Sequence, residues 1–102
     1  MKQAIEILTA LAEPTRLAAV RILWDGREHC VCELMRELGA TQSRMSRHMG
    51  VLSNAGLLTG RRDAQWVRYR RATDLPPQVV ALVEAALALA PAPARTPERQ
   101  PA

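Results

Sequence analysis

The residues best suited to chemistry lie in one hexapeptide, HCVCEL at residues 29–34, which holds both cysteines of the chain, Cys30 and Cys32. Thiolate is a soft donor that favours As(III), Sb(III), Cd(II), Pb(II), Zn(II) or Cu(I) over oxygen-seeking ions. A closed zinc site needs the usual four ligands, and only His29 and Met35 stand near the pair, so a structural zinc site is not expected. The stretch MKQAIEILTALAEPTRL carries glutamates and a proline where a signal sequence would be apolar, and no apolar run reaches membrane-spanning length. The chain is therefore expected to be cytoplasmic, with no membrane partner. There a disulfide is disfavoured, and two close thiols serve as a ligand or redox site.

Their spacing carries a mechanical expectation. Residues i and i+2 of a regular helix point about 200° apart. If both thiols lie in helical geometry, capturing one ion requires the start of that helix to unwind. The partial positive charge of a beginning helix also favours the thiolate form.

A second constellation follows about ten residues later in TQSRMSRHMGVLSNAGLL. On a helix over residues 42–54, Met45, Met49 and Leu52 share one side, whereas Ser43, Arg47, Gly50 and Asn54 share the other. Gln42, Ser43, Ser46 and Arg47 offer amide, hydroxyl and guanidinium groups suited to base edges and phosphates of double-stranded DNA. His48, near the edge of the apolar side, fits a packed or phosphate-touching role better than metal ligation. Farther on, Arg61, Arg62, Arg68 and Arg70 stud a segment with strand-like alternation and could lie along a phosphate backbone or enter a minor groove.

These groups need a scaffold to position them. The chain has 102 residues, enough for one domain, and a formal charge of +4 compatible with an anionic partner. All its cations but Lys2 are arginines, and with no Phe its core must be aliphatic and Met-rich. The apolar spacing predicts a helix over 3–11, a second from Pro14 towards Gly26, a connector or short strand at REHCV, and a third helix from about Cys32 to Leu38 closed by Gly39. Thr41 caps the fourth helix. A hairpin turns at Asp63, Ala64 and Gln65, with Val67 and Tyr69 on one face and Trp66, Arg68 and Arg70 on the other. A last helix over about 77–90 is apolar round most of its circumference, so it is expected to be buried against another subunit. The fold class is mainly α with a small β-hairpin (α+β): a winged helix-turn-helix with four helices, a two-stranded wing and a C-terminal helix. Residues 1–90 form the DNA-binding and dimerisation domain, and residues 91–102 a disordered Pro/Ala-rich tail.

Across about residues 4–90 the sequence resembles the ArsR/SmtB repressors, and within them the arsenical-responsive type. The likeness rests on ALAEPTRLAAVRIL, on HCVCELMRELGATQSRMSRHMGVLSNAGLL and on the wing GRRDAQWVRYRR. It implies that Cys30 and Cys32 carry the inducer, As(III) or Sb(III) or a methylated trivalent arsenical, and that no further cofactor is required. Met35 stands where that type has a third cysteine, which rules out a three-thiolate site within one protomer. The resemblance further implies a homodimer built from the first and last helices, bound to an imperfect palindrome before an arsenic-resistance operon and released by the inducer. A redox-sensing or Cd/Pb-sensing repressor of the same fold is the alternative. No CxxC, cofactor loop or acid–base constellation accompanies the thiols, so no enzyme is expected.

Overall fold

A computed structural model describes residues 2–90; Met1, and residues 91–102 where a disordered tail is expected, lie outside the described residues. The elements run α1 (Lys2–Leu11), α2 (Pro14–Leu23), β1 (His29–Cys30), α3 (Val31–Leu38), α4 (Gln42–Asn54), β2 (Leu58–Asp63), β3 (Trp66–Arg71) and α5 (Pro77–Leu89).

Local signals set the helix ends. Pro14 opens α2 where its missing amide hydrogen costs nothing, and Glu13 Oε1 accepts from the orphan Arg16 N–H at 2.8 Å. Gly39 closes α3 in the left-handed region, with φ 67°, and its N–H donates to Met35 O at 2.9 Å. Two residues later Thr41 caps α4, its hydroxyl accepting from Arg44 N–H at 3.3 Å. This tight joint sets α3 and α4 as the helix-turn-helix.

The core is aliphatic, with methionine filling the space an aromatic ring would take. Val20 and Leu23 of α2, Leu34 of α3, Met45, Met49 and Leu52 of α4, Leu57, and Val83 of α5 are fully buried. Arg21 of α2 donates from Nη2 to Leu87 O at 2.9 Å and also to Ala90 O, satisfying carbonyls that the end of α5 leaves orphaned. Trp24 Nε1 donates to Glu84 Oε2 at 3.3 Å, while the Arg71 guanidinium lies 4.1 Å from the Trp24 ring centroid. Through Trp24, α2 joins the base of the wing to α5.

The wing differs from a simple hairpin. β1 pairs antiparallel with β3, giving a three-stranded sheet of order β1-β3-β2 in which His29 faces Tyr69 and Cys30 faces Arg68. Within REHCV only His29 and Cys30 form a strand, short because α3 begins at Val31, one residue before the expected start. The outer face expected of Trp66, Arg68 and Arg70 is not free: all of β3 is half-buried, and Trp66 as well as Tyr69 packs against the core. No helix among the described residues is long and apolar enough to cross a membrane.

Candidate nucleic-acid interface and dithiol site

Burial of Met45, Met49 and Leu52 fixes the rotation of α4, and the opposite face is what remains for a ligand. Gln42, Ser43, Ser46 and Arg47 are all exposed there, as is Arg44 in the first turn, a cation that the spacing argument alone does not single out. Its position three residues before Arg47 is the signal that could have found it. Neither Arg44 nor Arg47 forms an ion pair with its side chain among the described residues.

The wing arginines divide into engaged and open ones. Arg61 grips Glu28 through two bonds, Nε to Oε2 at 2.7 Å and Nη2 to Oε1 at 2.9 Å. The bonds to Arg61 hold the Glu28 carboxyl below its ordinary value. Arg68 Nε donates to Asp63 Oδ2 at 2.7 Å, and Arg70 Nη2 donates to Gly26 O at 3.1 Å. Arg70 is therefore tied to the α2–β1 turn instead of standing free on the expected outer face. Arg62 is exposed and makes no side-chain bond among the described residues. His48 is half-buried, with its Nδ1 3.3 Å from Arg16 Nη1, so one ring edge is engaged inside the protein.

At the other end of the joint, Cys30 and Cys32 are bonded as a disulfide, with Cα atoms 5.1 Å apart. This departs from the expectation of free thiols, and the helical geometry at both cysteines that would force α3 to unwind is not what the structure has. The physical reason is that Cys30 is the residue before α3, in extended conformation with φ −67° and ψ 142°, while Cys32 lies in the first turn. An extended residue can swing its Sγ over the helix start, and Cys30 Sγ accepts from Cys32 N–H at 3.1 Å. The two sulfurs meet with α3 intact.

His29, the nitrogen donor beside the thiols, is committed elsewhere. Its Nδ1 lies 2.9 Å from Glu33 Oε2 and its Nε2 3.0 Å from Asp25 Oδ2, an arrangement both carboxylates can share only with a ring bearing both hydrogens. Burial works against that charge, but the bonds to Glu33 and Asp25 outweigh it and raise His29 above the ordinary imidazole value. The ring is a strut from the α2–β1 turn to α3. Among the described residues no group of three His, Cys, Asp or Glu side chains is arranged to hold a metal ion.

The chain is similar to known proteins over this whole arrangement. The model of the family described as bacterial regulatory protein, arsR family, matches residues 13–59. The arsenical resistance operon repressor of Escherichia coli (strain K12) is 35% identical over 82 residues, covering 80% of this chain and 70% of that one. Among solved structures, HlyU from Vibrio cholerae N16961 superposes with a TM-score of 0.72 at 33% identity, covering 86% of this chain and 91% of that one. The homodimeric winged helix-turn-helix DNA-binding domain Mb0332 from Mycobacterium bovis gives 0.71 at 26% identity, over 87% and 79% of the two chains. Sequence and fold agree: the chain belongs to the arsR family of bacterial regulatory proteins, as a DNA-binding transcriptional repressor and not an enzyme.

Proposed function

We propose that this repressor is As(III)- or Sb(III)-responsive, binds operator DNA as a cytoplasmic homodimer, and lets go when the Cys30/Cys32 pair captures the metalloid. The observation that carries this reading is the joint on which the thiols sit. Cys30 ends β1, whose ladder runs to Arg68 of the wing, and Cys32 lies in the first turn of α3, one tight turn before α4. A ligand held by both sulfurs therefore acts on the wing and on the helix-turn-helix together. The likeness to an arsenical resistance operon repressor supports the choice of ligand.

In this reading residues 1–90 are the working domain. Gln42, Ser43, Ser46 and Arg47 meet base edges and nearby phosphates, Arg62 meets a phosphate, and His48 offers its free edge to the backbone. Arg68 is held by Asp63 and contributes less. A cellular thiol first opens the disulfide by exchange, leaving two thiols and an oxidised small-molecule disulfide. Two thiols then react with As(OH)3 to give a dithiolate arsenic hydroxide and two waters, the thiol hydrogens leaving with the displaced hydroxides. With no third cysteine in the chain, the last position on arsenic keeps hydroxide or takes an external thiol. One arsenic binds per protomer, and methylarsenite, with two exchangeable positions, binds at least as well as arsenite when no small thiol is present.

The test is release of labelled promoter DNA by the reduced protein, followed by fluorescence anisotropy against As(III), methylarsenite, Sb(III), Cd(II), Pb(II) and peroxide. Cys30→Ser and Cys32→Ser should each bind DNA normally and fail to release it on addition of As(III). Useful induction requires a coupling of roughly 3 kcal/mol, about a 100-fold loss of affinity. A second reading has its own observation, the Cys30–Cys32 disulfide itself, which suits a dithiol redox sensor. Release by peroxide with none by As(III), or an arsenic X-ray absorption spectrum with three sulfurs in thiol-free buffer, would sink the metalloid reading.

A further inference from the structure

Three helices meet at one polar node, of which the function above uses only His48. Arg16, in the first turns of α2, donates from Nε to Ala10 O at 2.7 Å and from Nη2 to Thr9 O at 3.3 Å, both in the last turn of α1. That turn has orphan carbonyls and no basic residue of its own, so Arg16 supplies the positive charge that its dipole lacks. The remaining guanidinium nitrogen, Nη1, lies 3.3 Å from His48 Nδ1 at the middle of α4. Glu13 completes the node: its Oε1 accepts from Arg16 N–H at 2.8 Å and stands 4.0 Å from the same Nδ1.

A guanidinium has donors and no acceptor. Nδ1 must therefore accept, which puts the ring hydrogen of His48 on Nε2. That atom has no hydrogen-bond partner among the described residues, yet the one buried, unsatisfied side-chain nitrogen or oxygen among them is Arg70 Nε. His48 Nε2 consequently reaches solvent, one residue beyond Arg47 on the helix that faces DNA.

We propose that Arg16 is a positioning residue for DNA binding: it fixes the tautomer of His48 so that Nε2–H donates to a DNA phosphate, and it ties α4 to the end of α1. This rests on the reading of α4 as the DNA-facing helix and extends it to a residue outside that helix. A neutral imidazole free to exchange tautomers would offer a donor or an acceptor at Nε2, and an acceptor repels a phosphate. The Arg16 bond removes that ambiguity before DNA arrives. It also makes the end of α1 part of the support for α4, so a shift of α1 reaches the DNA-facing helix through one side chain.

The test uses the full chain, reduced, in mildly alkaline buffer, with two readouts. Long-range proton–nitrogen spectra of the histidine rings should find His48 with its hydrogen on Nε2 in the wild type and a tautomer mixture in Arg16→Gln. A labelled DNA duplex of arbitrary sequence serves as probe, because binding to a phosphate does not depend on sequence. His48→Asn, whose side-chain oxygen can still accept from Arg16 but which cannot reach as Nε2 does, should weaken binding about five-fold at a fixed salt concentration, as for the loss of one hydrogen bond, with the salt slope unchanged because a neutral imidazole releases no counterion. His48→Gln, whose amide nitrogen can occupy the Nε2 position, should restore most of that affinity. Arg16→Gln should weaken binding about five-fold, as for the loss of one hydrogen bond, provided circular dichroism shows it folded. Should Arg16→Gln not fold, the wild-type tautomer and the two His48 variants still decide. A hydrogen on Nδ1 in the wild type, or an unchanged affinity in His48→Asn, overturns the proposal. Wild-type protein that holds the Nε2 tautomer but binds no duplex overturns the DNA-facing assignment of α4 instead, and the phosphate bond with it.

Discussion

Adjacent arginines on β2 meet different fates. Arg61 is spent on Glu28 and Arg62 is left to solvent, so a count of wing cations overstates what a phosphate can use. Arg62→Ala should reduce the salt slope of DNA binding by about 0.9 per phosphate released, and Arg61→Ala by less; titrating affinity against salt checks both. Asp63 tests the engaged class by pH. Its bond from Arg68, then the attraction of the same charge, holds the Asp63 carboxyl below its ordinary value, with slight burial opposing. A folded-state value that is depressed contributes stability above the unfolded value and loses it as pH falls through the folded one. Following the Asp63 carboxyl carbon by NMR through acid should give a midpoint below the ordinary aspartate value, and Arg68→Ala should move it up. Because the pair is exposed, the effect on overall stability should be small.

At the scale of elements, two glycines separate what a helix-turn-helix requires from what it tolerates. Gly39 holds φ at 67° between α3 and α4, a conformation that costs a residue with a side chain about 1–2 kcal/mol. Gly50 sits inside α4 with ordinary helical angles, and a methyl added there meets nothing within 4 Å. Thermal melts should therefore show Gly39→Ala destabilised and Gly50→Ala stabilised by about 0.5–1 kcal/mol. The same logic governs the thiols. Cys30 belongs to the strand and Cys32 to the helix, so pairing them leaves α3 whole and bridges the junction of β1 and α3.

For the whole molecule, the surface of α1 and α5 is the part that a lone protomer leaves unfinished. Ile5 and Leu8 on α1 are 54% and 48% exposed, and Leu89 at the end of α5 is 87% exposed, whereas Val79 and Val83 already fill the core. The apolar circumference of α5 leads to the expectation of a subunit interface; in this chain its inner face belongs to the protomer's own core, and the outer remainder, with α1, is the surface a proposed dimer would use. The homodimeric relative supports that use. Ile5→Glu with Leu8→Glu should turn a dimer into a folded monomer by sedimentation, with near-native circular dichroism. It should also lose most of its affinity for a two-fold site whose half-sites lie about 34–36 Å apart. A dimer that persisted in this variant would move the interface elsewhere.

Much of this protein is decided by near neighbours in the chain, and that part is legible in residues alone. Gly39, Thr41, Pro14 and the spacing of Met45, Met49 and Leu52 act within a turn or two of helix, where backbone sterics, caps and periodicity leave few alternatives. The thiol pair is legible as a pair for the same reason, and the winged arrangement follows from the order of elements. Tertiary structure alone decided which arginines stay open, because Glu28 meets Arg61, and Gly26 meets Arg70, across separations of 33 and 44 residues. It alone decided between connector and strand for REHCV and paired Cys30 with the wing, since a two-residue strand is defined by the β3 edge that completes its hydrogen bonds. The node of Arg16 and His48, 32 residues apart, belongs to the same class: a side-chain bond between helices is fixed by how the helices pack, and no local pattern encodes it.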